Sequence, residues 1–131
     1  MLTARDLQIS DIITVSPEAT VQETVETLIT HRVSGLPVVD CDGKILGVIS
    51  ELALLAIVYE PDIVNKPVRD YMTKDVISVE PGTPIARITD LFILHRIRRI
   101  FVVQEGKLVG LISRRDILRA SIESRRVLSG V

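Results

Sequence analysis

The feature that most constrains this chain is that it repeats itself. "RDLQISDIITVSP" at residues 5–17 returns as "RDYMTKDVISVEP" at 69–81, and the same 64-residue offset carries His31 and Arg32 onto His95 and Arg96. Of the 36 paired positions between 5 and 40, 11 are identical. After Val39 and Val103 one residue drops out of a turn and the offset becomes 63, which places Gly43, Lys44, Gly47, Ile49 and Ser50 on Gly106, Lys107, Gly110, Ile112 and Ser113. Self-similarity at a fixed period marks a duplicated structural unit. The chain therefore divides into one repeat at 1–64 and a second at 65–131.

Each repeat has the same readable order. A short β-branched segment, Ile12 to Val15 or Val76 to Val79, is closed by proline and predicts a strand. Thr20 with Glu23 forms a capping-box signature ahead of Val21, Val25, Leu28 and Ile29 at helical spacing; in the second repeat Thr83 supplies the cap and Pro84 the first helical position. "LPVV" and "ILGVI" around Asp42-Gly43, and "IFVV" and "LVGLI" around Glu105-Gly106, predict two hairpins. Ser50 and Ser113 then cap a second helix, spanning roughly 51–58 and 114–122. The fold class is α/β (α+β), ordered β-α-β-β-α twice.

At 131 residues the chain is long enough to bury a core without disulfides or metal. Its single cysteine, Cys41, suits a reducing compartment, and the absence of a leader-like start or a long apolar run points to the cytoplasm and away from the membrane. The net charge of −1 conceals an asymmetry: residues 1–65 carry 3 basic and 10 acidic side chains, residues 66–131 carry 13 and 7. An anionic ligand is expected in the second half.

The order and spacing of "VRDYMTKDVISVEPGTPI", "GLPVVD", "RRIFVV", "GKILGVIS" and "GKLVGLISRRDIL" resemble tandem cystathionine-β-synthase (CBS) domains over almost the whole chain. Two such domains form a stand-alone Bateman module. The resemblance implies pseudo-twofold packing of the repeats, two candidate ligand clefts, a disc-like homodimer and a separate regulated protein.

Ser113-Arg114-Arg115-Asp116 matches the family's Ser/Thr-x-x-Asp adenosine signature. A carboxylate accepts from two neighbouring hydroxyls at once, which is how acids hold ribose; the resemblance implies Asp116 on ribose and Ser113 near phosphate. The alternative reading is local, a serine and an acid three residues on that cap a helix. Arg98 and Arg99 stand where the first repeat has Ser34 and Gly35, and arginine forks suit phosphate. By the same resemblance Ile12, Ile13 and Thr14 offer apolar and backbone contact to an adenine ring, with Ile112 beside Ser113 in the contact set, while Ile9 takes the place of an expected threonine. The expected ligand is an adenine nucleotide, AMP, ADP or ATP, with an S-adenosyl compound as the weaker candidate. In the first repeat Ala53 replaces the acid, so the complementary cleft, despite Thr73 and Ser78, is expected to be empty or weak.

No motif orders a nucleophile, base and orienter, so no enzyme is expected. His31 and His95 fall at helix ends, where positive charge meets the helix dipole, and no metal-ligand spacing is present. Leu52 to Val58 is an apolar helix face suited to core or dimer packing. Arg98, Arg99, Arg114, Arg115, Arg119, Arg125 and Arg126, all in the second half, keep nucleic acid as a rival partner, and 3% aromatic content argues against it. A ligand-free dimerisation or interaction module, with Asp116 only a cap, is the alternative function.

Overall fold

The computed structural model describes residues 1–7 and 10–129, and the chain falls into two compact units whose bounds differ from those of the repeats. One is contiguous, Ile13–Val76; the other is split, built from Met1–Ile12 and Ile77–Val131.

In the contiguous unit, α2 (Val21–His31) precedes an antiparallel hairpin of β1 (Gly35–Val39) and β2 (Ile45–Ser50), then α3 (Glu51–Leu54) and 3-10 turns at Leu55–Val58, Pro61–Asn65 and Val68–Asp70. A four-residue helix, α1 (Ala4–Leu7), belongs to the split unit. Thr20 caps α2 as its sequence predicts, its hydroxyl accepting from the Glu23 amide at 3.1 Å. Arg32 closes the helix in the left-handed region, φ 54°. The hairpin turn is fixed by Asp40, whose Oδ1 accepts from the amides of Asp42 and Lys44, both at 2.9 Å, and by Gly43 at φ 82°. Val21, Leu28, Leu36, Val38, Ile49, Leu54, Ile63 and Val68 form the core. The strand expected over Ile12 to Val15 contracts to one parallel bridge, Val15 to Val38, because only Val15 meets β1 in register.

In the split unit, β3 (Ser78–Val79) runs parallel to β4 (Arg99–Gln104), which pairs antiparallel with β5 (Lys107–Ser113); α4 (Ile85–His95) and α5 (Arg114–Ser129) complete it. Glu105 and Gly106 both have positive φ, 52° and 81°, the backbone of a type I′ hairpin turn whose twist suits the flanking strands. The start of α4 differs from its expectation. Pro84 is the N-cap, Ile85 the first helical residue, and the Thr83 hydroxyl accepts instead from the Glu80 amide at 3.2 Å, spent on the turn before the helix. Ala4, Leu7, Val79, Ile88, Phe92, Ile100, Val102 and Ile112 form the second core.

The mismatch between repeat and unit has a specific cause: the lead-in segments are exchanged. Residues 2–5 bond into the second repeat through Ala4 N to Thr83 O at 2.8 Å, Arg5 N to Pro81 O at 2.9 Å and Ile85 N to Leu2 O at 3.0 Å. Residues 66–69 bond into the first by the images of these contacts: Val68 N to Ala19 O at 2.8 Å, Arg69 N to Pro17 O at 3.2 Å and Val21 N to Lys66 O at 2.9 Å. Arg69 adds an exposed ion pair with Glu18, whose hydrogen bond and charge hold the guanidinium above its ordinary pKa. Farther on, Thr73 and Val48 exchange two backbone hydrogen bonds of 2.9 Å, extending the first sheet beyond β2.

Candidate functional site

The end of β5 and the first turn of α5 bring four of the residues singled out by sequence into one neighbourhood. Ser113 is the last residue of β5, and Arg99, first in β4, is its direct register partner across the sheet. Arg98 immediately precedes β4 and is exposed; Arg99 is half-buried. Asp116, only 7% exposed, lies three residues beyond Ser113.

Asp116 is not idle in this geometry. Its Oδ2 accepts from the Ser113 amide at 2.7 Å and from the Ser113 hydroxyl at 2.9 Å, while the hydroxyl oxygen accepts from the Asp116 amide at 3.3 Å. This is a reciprocal cap that satisfies amides the helix leaves orphaned. Oδ1 accepts from Arg119 at 3.3 Å, and that guanidinium is more than half exposed. A carboxylate offers about four acceptor sites, so Oδ1 keeps capacity for a further donor. Arg119 was missed by sequence reasoning, although its three-residue spacing from Asp116 on a helix was the signal available.

Ile112 is fully buried in the core with Ile88, Phe92 and Ile100, so it supports the site from beneath. Ile12 closes the lead-in part of the split unit, whereas Ile13 and Thr14 begin the contiguous one; the two isoleucines are half-buried and Thr14 is exposed. Ile9 lies outside the described residues.

In the first repeat the Ser50 hydroxyl accepts from the Ala53 amide at 3.3 Å and no carboxylate answers it. What this repeat offers instead is a cavity of 490 Å³ between α2 and the α3 region, lined by Val25, Leu28, Ile29, Leu54, Leu55 and Val58 among others. Among the described residues there is no cluster of three His, Cys, Asp or Glu side chains suited to a metal ion, and no helix long and apolar enough to cross a membrane.

A unit repeated twice along the chain, its second copy closed by the Ser113-x-x-Asp116 turn, defines the class. The CBS domain family matches residues 4–60 and 68–123, and the chain belongs to that family as a tandem CBS pair. It is similar to CBSX2 of Arabidopsis thaliana, crystallised in complex with AMP, at 29% identity and a TM-score of 0.85, over 96% of this chain and 100% of that one. It also resembles the inosine-5'-monophosphate dehydrogenase of Methanocaldococcus jannaschii, 38% identical over 88% of this chain and 23% of the enzyme. The chloroplastic CBS domain-containing protein CBSX1 of Arabidopsis thaliana is 30% identical over 88% of this chain and 61% of its own length. The chain thus spans less than two thirds of both curated relatives.

Proposed function

We propose that this CBS pair is a non-catalytic regulatory module that binds an adenine nucleotide, with Asp116 on the ribose hydroxyls and Ser113, Arg98 and Arg99 toward phosphate. The observation that carries the reading is the buried Asp116 carboxylate, whose Oδ1 meets the solvent-exposed Arg119, beside the register pair of Arg99 and Ser113. The AMP complex of CBSX2 supports the choice of ligand class. The contacts assigned to Ile12, Ile13 and Thr14 rest on the family resemblance. Binding would regulate by stabilising one arrangement of the module over another, which requires unequal affinity for the two.

A second reading has its own support. Both Ser113 donors end on Asp116, so the acid has a complete structural role without any ligand, as an interaction module needs.

The two readings separate in titration calorimetry of nucleotide-free protein with AMP, ADP, ATP and S-adenosylmethionine, with GTP as control. Asp116→Asn retains a cap acceptor but loses the charge and one hydroxyl acceptor. The sensor reading expects micromolar or tighter binding of an adenine nucleotide, weakened by about tenfold or more in Asp116→Asn, since a charge-assisted hydrogen bond is worth about 1.5–3 kcal/mol. No heat and no thermal shift with any of these ligands would leave the interaction module.

A further inference from the structure

At the turn end of the β4–β5 hairpin, opposite the end that holds the Arg99–Ser113 register pair, the split unit carries a cavity of 280 Å³ lined by Arg5, Glu80, Pro81, Gly82, Gln104 and Glu105. In the first repeat the matching groups satisfy one another. Arg69 pairs with Glu18, the Ser16 hydroxyl accepts from the Glu18 amide at 3.2 Å, and the Asp40 carboxylate is taken up by the turn amides of Asp42 and Lys44. At the cavity Arg5 stands for Arg69, Gly82 for Glu18, Glu80 for Ser16 and Gln104 for Asp40. Arg5 starts from the same backbone position, its amide on the Pro81 carbonyl as that of Arg69 is on Pro17. The acid it would meet is gone, and a Cβ at Gly82 would find nothing within 4 Å. The Glu105-Gly106 turn is held by its positive φ angles, which releases Gln104 from the duty Asp40 performs. Among the described residues, the side chains of Arg5, Glu80, Gln104 and Glu105 have no hydrogen-bond or ion-pair partner.

We propose that this cavity binds a basic amino acid of the lysine or ornithine type. The Arg5 fork suits the ligand's carboxylate, which it can meet with two parallel hydrogen bonds. Glu80 and Glu105 suit its two ammonium groups, so one cation and two anions of the protein face one anion and two cations of the ligand. Gln104 can donate or accept beside them. At 280 Å³ the space lies just below the range of about 300–1,000 Å³ that holds drug-sized ligands, which fits an amino acid better than a nucleotide. All four polar side chains are exposed, so affinity is modest, with a dissociation constant of about 1 mM or somewhat tighter. The inference adds a ligand class to the module and does not rest on nucleotide binding.

Amide NMR of the nucleotide-free full chain, titrated with L-lysine at constant ionic strength, tests it. Saturable shifts are expected at the amides of Gly82, Gln104, Glu105 and Gly106. Cadaverine, which lacks the carboxylate, and L-norleucine, which lacks the side-chain ammonium, should each bind about tenfold more weakly, the loss expected for one charge-assisted bond. Gly82→Glu installs the ion pair of the first repeat; it should leave Tm unchanged or raised and weaken lysine binding about tenfold or more. Arg5→Gln keeps the backbone bond to Pro81 and should weaken binding equally, which preserves the test if Gly82→Glu does not fold. Absence of saturable shifts with lysine overturns the proposal, as does cadaverine or norleucine binding as well as lysine, or folded Gly82→Glu or Arg5→Gln protein binding lysine like wild type.

Discussion

Replacing Asp116 by alanine tests the site's structural foundation apart from any ligand. The substitution removes both acceptor bonds to Ser113, 2.7 Å from the amide and 2.9 Å from the hydroxyl, at a position 7% exposed. A lost cap costs about 1 kcal/mol, and a hydrogen bond to a charged group is worth about 1.5–3 kcal/mol. The exposed Arg119 pair adds little, about 0–1 kcal/mol. The expected loss is about 3 kcal/mol, or roughly 10 °C in Tm for a chain of this size. Ser50→Ala is the internal control, because that serine holds one amide at 3.3 Å with no answering acid; it should cost about 1 kcal/mol. The assay is urea and thermal unfolding of both variants beside wild type, in nucleotide-free protein. A loss in Asp116→Ala no greater than in Ser50→Ala would refute the reciprocal cap and the inference that the acid is held in place before ligand arrives.

Gly47→Ala should destabilise by about 2 kcal/mol through overpacking, since its Cβ would stand 2.6 Å from the Thr73 carbonyl oxygen and 3.0 Å from the Met72 sulfur; urea midpoints at constant slope read this out. Gly43→Ala should cost about 1 kcal/mol by backbone strain alone, because φ is +82° and nothing lies within 4 Å of the new methyl. Gly82→Ala, in equally open space without the positive φ, should be neutral or stabilising by up to about 1 kcal/mol; a large loss there would contradict the geometry. Thr20→Ala should lose about 1 kcal/mol by thermal unfolding through the α2 cap, its hydroxyl otherwise holding the Glu23 amide.

Hairpins and helix caps were legible because they are local: Asp42-Gly43 and Glu105-Gly106 specify their turns, and Thr20, Ser50 and Ser113 sit where orphan amides need acceptors. The exchange of residues 2–5 and 66–69 was not, because both copies carry the same bonding groups and a sequence repeat cannot say which copy a segment serves. The β-branched run from Ile12 to Val15 predicts more strand than forms, because its register allows one bridge. At the site, the approach of Arg99 to Ser113 follows from strand register once the hairpin turn is known. The burial of Ile112 also follows from alternation along β5, since its neighbours Leu111 and Ser113 are less buried. The placement of Ser113 and Asp116 as mutual cap partners was visible as spacing, but the turn of Oδ2 toward Ser113 and Oδ1 toward Arg119 was a matter of rotamer.

The exchanged segments also order the chain's birth. Residues 13–76 hold the whole of one compact unit and emerge from the ribosome before residues 77–131, so the contacts of that unit are available first. Residues 1–12 have no such option, because the backbone groups that receive Leu2, Ala4 and Arg5 lie at Pro81, Thr83 and Ile85. Residues 2–5 therefore join a unit whose other part is made later, and Ala4 and Leu7 find their core only once residues 79–112 have emerged.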